Sequence, residues 1–195
     1  MVLLFITSNQ SKVRLATERL NKYKIDLQQK ECEIIEPQVL DVEYVAKEKA
    51  RQARNYITTS FIIEDSSLCI NKLNGFPGAL VKPVLDSIGS INLLKLIEED
   101  NDRTVVIKSV LIYYDPKQNL TKIFTSTCDG LLAKSPMGKN NRGWKFADIY
   151  IPKGHTKTIA EMDDEEWIVL LDELRTNDHY EKFGIWFKNN VLMAK

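Results

Sequence analysis

Cysteine is scarce and scattered. Cys32, Cys69 and Cys128 are the only three in 195 residues, none is paired as CxxC, and only His155 and His179 accompany them. Such usage supports neither a disulfide framework nor a zinc site. Charge of one sign is also lacking: 27 basic residues balance 27 acidic ones. No global field would draw the chain onto nucleic acid or an anionic membrane, so any phosphate binding must be local. Long hydrophobic runs are missing as well. The apolar stretch Val2–Ile6 is too short for a membrane helix or a signal peptide, and no basic region precedes it. A cytoplasmic protein, without membrane or nucleic-acid partners, is the expectation. Repeats, low-complexity segments and linkers are likewise absent, and 44% apolar composition suffices for a core of ordinary size. Residues 1–195 are therefore expected to form one domain.

What is present reads as α/β. Val2–Ile6 predicts a buried strand, followed by a polar turn and a helix whose face carries Val13, Ala16, Leu20 and Tyr23. The clearest helical period is Val42, Val45, Ala46, Lys49, Ala50, Ala53, Tyr56 and Ile57, with Asp41 as its N-cap. Residues 61–63 predict a buried strand that ends at Glu64-Asp65, and Gly75, Pro77 and Gly78 predict a loop. Ile91, Leu94 and Ile97 predict a helix. Residues 104–114 and 121–128 predict an antiparallel pair across an Asp-Pro turn. A further aromatic strand is expected over 144–151, and a helix with an acidic start over 163–174.

Four features could carry chemistry. The strand–turn–helix order at Thr7-Ser8-Asn9-Gln10-Ser11-Lys12 presents a helix N-terminus and a lysine, a local anion site. Equally, Ser11 caps the helix and Lys12 is solvated surface. Adjacent Glu64 and Asp65 suit a hard divalent ion or an attacking water, or else make an acidic capping turn. Lys49 falls on an apolar helix face, where a polyphosphate would give it a partner, unless its stem simply snorkels past the core edge. Trp144 and Phe146, alternating on one strand, could flank a nucleobase or pack in the core.

Together these residues resemble the nucleoside-triphosphate pyrophosphatases of the inosine-triphosphatase type. Thr7-Ser8-Asn9-x-x-Lys12 is similar to that family's opening motif, and Glu64-Asp65-Ser66-Ser67-Leu68 to its acidic motif, with Ser67 in a glycine's place. The loop 73–78, followed by Lys82 and Ile88-Gly89, resembles the family's next segment, and the agreement runs from residue 1 to about 162. The resemblance implies an elongated mixed β-sheet flanked by helices, with two lobes and a cleft. It implies magnesium-dependent hydrolysis of nucleoside triphosphates, deoxy forms included, to monophosphate and pyrophosphate, with non-standard purines as substrates. On that pattern Thr7, Ser8, Asn9, Lys12, Lys49, Ser66 and Lys82 would bind substrate, and Trp144 and Phe146 would flank the base. Glu36, Glu64 and Asp65 would serve magnesium, and Asp65, Lys12 and Lys49 would be catalytic. Relatives commonly form homodimers.

Two stretches depart from the pattern. In 143–148 a glycine of the family's motif is replaced by Lys145 and its aspartate by Ala147, with Asp148 adjacent. After Met162 the family's lysine and Ser-His-Arg triplet, which read the oxygen-bearing edge of hypoxanthine or xanthine, align with Trp167 and with Leu170-Leu171-Asp172. Trp167, Leu170, Leu171 and Leu174 are expected instead to form the apolar face of a docked helix. An alternative would slide His179 into the triplet's place. If Asp172 faced the base, it would favour an exocyclic amino group. The missing set also leaves a second class of function: binding of a nucleotide or a protein partner without turnover.

Overall fold

The computed structural model describes residues 2–98, 101–140 and 142–193. Val2–Ile6 is β1, and Asn9, not Ser11, caps α1 (Gln10–Asn21): its side-chain oxygen accepts from the backbone N–H groups of Ser11 and Lys12. β2 (Asp26–Lys30) follows; its alternating polar sequence DLQQK gives no apolar run to mark it as a strand. Asp41 caps α2 (Val42–Ala53), which stops before Tyr56 and Ile57. The next strand, β3 (Phe61–Ile70), is far longer than its apolar start: Glu64 and Asp65 lie inside it, not at its end. Pairing to β5 over all ten residues supplies the backbone hydrogen bonds that carry it through this polar stretch.

A short β4 (Pro77–Gly78) leads to α3 (Val81–Lys95), which starts ten residues before the expected helix and is kinked at Gly89, where φ is 72°. Leu93 and Leu94 are buried towards its C-terminal end and Ile97 just beyond it, while Ile91 is exposed. The long hairpin β5 (Thr104–Asp115) and β6 (Leu120–Leu132) forms as its alternation predicts. Of the aromatic strand expected over 144–151, only β7 (Tyr150–Pro152) is a strand; Trp144 to Ile149 make turns. The N–H groups of Ala147 and Ile149 turn back to the Trp144 and Phe146 carbonyls, while the Ala147 and Ile149 carbonyls accept from Ala160 and Ala133 outside the strands, so the stretch forms turns instead of a ladder. Asp163 caps α4 (Asp164–Arg175) in a reciprocal capping box with Glu166. Asp178 caps a last helix, α5 (His179–Phe187).

The strands make one mixed sheet in the order β2-β1-β3-β5-β6-β7, with β4 beside β3. β1 is parallel to both β2 and β3, and the other pairs are antiparallel. The fold is α/β, with this mixed central sheet and, among the described residues, five α-helices.

Strand period two places Ile62, Glu64, Ser66, Leu68 and Ile70 on one face of β3. At its start Ile62 packs with Leu3, Phe5, Leu20, Phe183 and Phe187, under α1 and α5. Phe61 and Ile63, on the opposite face, pack with Ala46, Ala50 and Ala53 of α2. Leu68 and Ile70, at the far end, belong to another cluster with Leu93, Leu94, Tyr150 and Leu170. Two apolar ends are thus separated by a polar waist: Glu64, Asp65, Ser66 and Ser67 on β3, and Ser109 on β5. Among the described residues no helix is long and apolar enough to cross a membrane.

Candidate active site

The waist opens at a gap in the sheet. β1 pairs with β3 only at Leu4–Phe61 and Phe5–Ile62, and β4 takes up the same edge at Leu68 and Cys69. Between these lies an uncovered edge at the carboxyl end of a parallel strand, where ligands of open α/β sheets bind. Lys12, one turn into α1, reaches it: its Nζ donates to the Glu64 backbone carbonyl at 3.2 Å. The same ammonium lies 3.0 Å from Glu64 Oε2 and 3.4 Å from Asp65 Oδ1. From the opposite face Lys49 of α2 lies 2.8 Å from Asp65 Oδ2 and 2.6 Å from Glu36 Oε1. The apolar-face lysine therefore has carboxylate partners. Residues from four elements of the chain meet here.

Consecutive strand residues face opposite ways, so Glu64 and Asp65 sit in different surroundings. Ser66 Oγ donates to Glu64 Oε1 at 2.6 Å and is 2.9 Å from Ser109 Oγ. Buried Tyr180 and His179 flank Glu64 from α5, with His179 Nε2 at 3.9 Å and its Nδ1 held by Ser126 Oγ at 2.8 Å. Burial, then the nearby Glu64 and Asp178 carboxylates, push the Tyr180 hydroxyl well above the usual tyrosine range. Burial pushes the His179 imidazole below its ordinary value, outweighing Glu64 and Asp178, which act the other way. His179 is thus a neutral group at neutral pH.

Burial opposes charge on Lys12, yet Glu64 and Asp65 more than offset it and hold the ammonium above its usual range. Lys49 behaves alike through Asp65 and Glu36. For Asp65 burial would raise the pKa, but the two lysines hold it below the usual carboxylate range. All three groups are ionised at neutral pH.

The donor set suits a hard divalent cation, since every ligand atom offered is oxygen. Glu64 Oε2 and Asp65 Oδ2 are buried and, among the described residues, lack a hydrogen bond of good geometry, their close neighbours being the two ammonium groups. Among the described residues no three His, Cys, Asp or Glu side chains converge into a cage. Such a pair fits an ion of the magnesium kind, which keeps waters and shares phosphate oxygens with its substrate.

Beside the carboxylates lies a cavity of about 70 Å³. Ser109 and Ser126 line it from the sheet, Arg19 from α1, Leu171 from α4, His179 from α5, and Trp144 from the turn. Trp144 is half-buried, 5.5 Å from Phe146 and 5.9 Å from Trp167 between ring centroids. Phe146 is buried in the far core cluster rather than alternating with Trp144 on a strand.

The residues expected from sequence divide accordingly. Glu36, Lys12, Lys49, Glu64, Asp65 and Ser66 form one connected network. Thr7, Ser8 and Asn9 lie at the adjoining helix start. There Thr7 Oγ1 accepts from the Asn9 N–H at 3.1 Å, and the Asn9 carboxamide oxygen is engaged as the cap. Lys82 is exposed on the first turn of α3. Asp172 is exposed and paired with Arg175 at 2.8 Å, turned away from the cavity. Leu170 and Leu171 are buried, with Trp167 and Leu174 packed against the core, as the docked-helix expectation holds. Arg19, Asp178, Ser109 and Ser126 are additions from the structure. Arg19 could have been found by its spacing, since Lys12, Leu15 and Arg19 share one stripe of α1.

Comparisons with known proteins place these features in company. A model of the Ham1 family matches residues 3–168. The dITP/XTP pyrophosphatase of Methanopyrus kandleri is 34% identical over 191 residues, 98% of each chain. The inosine triphosphate pyrophosphatase of Yarrowia lipolytica is 31% identical over 165 residues, 85% of this chain and 86% of the other. In fold, the chain is similar to a nucleoside-triphosphatase / dITP/XTP pyrophosphatase from Mycobacterium abscessus, with TM-score 0.74, 23% identity, and 90% and 96% coverage. It is also similar to a HAM1 protein from Coxiella burnetii, with TM-score 0.73, 21% identity and full coverage of both chains.

Proposed function

The chain belongs to the Ham1 family, and from that premise we propose that it hydrolyses nucleoside triphosphates of the dITP and XTP kind to the monophosphate and pyrophosphate. The observation that carries the reading is the convergence of Lys12 and Lys49, from two helices, on the Asp65 carboxylate at an uncovered sheet edge. Two half-buried cations whose charged partners are carboxylates suit a polyphosphate that can replace those partners.

Lys12 and Lys49 bind and orient the triphosphate, with Thr7, Ser8, Asn9, Ser66 and Lys82 as further substrate contacts. As the lysines turn to phosphate oxygens, the influence that depresses the Asp65 pKa weakens and its carboxylate becomes a better base. Asp65 then takes a proton from water, the water oxygen bonds to the α-phosphorus, and the bridging bond from that phosphorus to the β-phosphate oxygen breaks. Pyrophosphate leaves with that oxygen. Magnesium, held by Glu64, Asp65 and Glu36, would offset the charge on the phosphate oxygens. Trp144 would stack on the base, and Phe146 would support that ring from the core. The same reading includes a cytoplasmic location and a homodimer, the latter checked by sedimentation.

Pyrophosphate release with magnesium across the triphosphates of inosine, xanthosine, adenosine and cytidine tests the proposal. Asp65→Asn should lower turnover by about 100-fold or more, the range expected for loss of a general base, with the circular dichroism spectrum unchanged. Undiminished release from that variant would remove Asp65 from the chemistry. No release from the wild-type chain with any triphosphate would remove the activity.

A further inference from the structure

The cavity beside Ser109 contains a buried cation that the hydrolytic chemistry does not use. Arg19 is 3% exposed, and its Nη2 donates to the Leu171 carbonyl at 2.6 Å. Its Nε is 3.3 Å from Asp178 Oδ2 without hydrogen-bond geometry, and among the described residues its Nη1 has no partner. A buried guanidinium with unpaired N–H groups is costly unless something accepts from it. Asp178 lines the same cavity. Its Oδ1 accepts from the Tyr180 N–H as the α5 cap, which leaves Oδ2 turned to Arg19. One wall thus offers donors and an acceptor side by side.

Position sharpens the chemistry. Arg19 follows Lys12 by seven residues along one stripe of α1, a displacement of about 10 Å at the helical rise. A nucleotide spans a comparable distance from its α-phosphate to the far edge of its purine. With the phosphates at Lys12, that edge falls beside Arg19, and Trp144, on the same cavity, presents a ring. A cavity of about 70 Å³ has room for several water-sized groups, where one water needs ~10–15 Å³.

We propose that Arg19 and Asp178 select the base, Arg19 donating to the 6-keto oxygen of a purine while Asp178 accepts from its N1–H. This inference rests on the triphosphatase reading and adds the residues that determine its specificity. Adenine presents the inverse pattern, an amino donor at position 6 and a lone pair at N1, so both contacts would turn repulsive. The pair therefore admits 6-keto purines as a class, guanine among them, and rejects adenine. The selection comes from the first and last helices.

The test compares binding of inosine and adenosine triphosphates without divalent ion, by calorimetry, and their magnesium-dependent turnover. Wild-type protein should prefer inosine triphosphate in both. Arg19→Met should weaken inosine triphosphate by about 30-fold, the scale of a hydrogen bond to a charged group, and leave adenosine triphosphate within a few-fold. Arg19→Lys keeps a cation beside Asp178 and serves if the methionine variant does not fold; it should lose part of the preference. Asp178→Asn retains the cap oxygen and should also narrow the gap between the two nucleotides. No wild-type preference, or equal loss for both nucleotides in these variants, overturns the assignment. Turnover with an unchanged base ratio would sink this inference and leave the hydrolase standing, whereas selective binding without turnover would sink the hydrolase alone.

Discussion

Individual residues at the waist carry charges that only their neighbours make tolerable. His179 is the exception, a buried imidazole kept neutral. Its folded pKa lies below the unfolded value of about 6.5. The unfolded chain therefore binds more protons between those two values, and stability falls as pH drops through about 6.5. Glu64 and Asp178 oppose this by favouring the imidazolium, while Lys12 and Lys182 reinforce it. Metal-free wild-type protein is expected to lose more melting temperature between pH 7.5 and 5.5 than His179→Gln, which keeps a polar group near Ser126. Parallel losses in the two proteins would show that another group dominates. At this scale the sequence was informative where two chemical signals coincided. Lys49, Glu64 and Asp65 stand out because apolar neighbours make their charges conspicuous, and Lys12 because it follows a buried strand and a polar turn at a helix start. Asp178 does not, because an aspartate before an aromatic run looks like a cap, and Arg19, in a polar helix segment, is marked only by its spacing from Lys12.

Elements were legible in proportion to their apolar period. β1, α2, the β5–β6 hairpin and α4 announce themselves, whereas β2 is polar but for Leu27 and is a strand only because β1 lends it a parallel neighbour. The turn at Trp144 shows the reverse error: alternating aromatics suggest a strand, but the N–H groups of Ala147 and Ile149 turn back on the chain, and Gly143 bends it with φ at 84°. That bend lays the turn on the first helix. A Cβ at Gly143 would lie 2.5 Å from Ser11 Cβ and 2.6 Å from its Oγ. Rotating the Ser11 side chain could relieve only the second contact. Gly143→Ala should thus lift the turn from α1, move Trp144 from the cavity and reduce kcat/KM by about tenfold. The left-handed backbone adds a penalty of about 1 kcal/mol, which is ~2–4 °C in melting temperature for a chain of this size. Wild-type kcat/KM in that variant would show that the turn's seat on α1 does not matter to the reaction.

Across the whole molecule, two apolar ends are joined by three long strands, and at the polar middle of β3 ion pairs from two helices take the place of apolar packing. In the absence of ligand, Lys12 and Lys49 stand against the carboxylates that a divalent ion would use. Magnesium alone must compete with two half-buried ammonium groups for Glu64 and Asp65. A triphosphate changes this balance, because it offers those lysines other anions and brings its own oxygens to the metal. Ion and nucleotide should consequently bind with positive coupling, each strengthening the other. Magnesium at millimolar concentration is expected to leave the melting temperature of Asp65→Asn, used to prevent turnover, nearly unchanged. A triphosphate at about 100 times its Kd should stabilise by ~2.7 kcal/mol, or about 5–10 °C, and added magnesium should raise that further by tightening the nucleotide. The amide that replaces the Asp65 carboxylate in that variant weakens the metal site, so the wild-type chain with a nonhydrolysable triphosphate provides the stronger form of the same measurement. A full shift with magnesium alone in wild-type protein would mean that the lysines do not guard the carboxylates. The waist would then be a preformed metal site instead of one completed by its substrate.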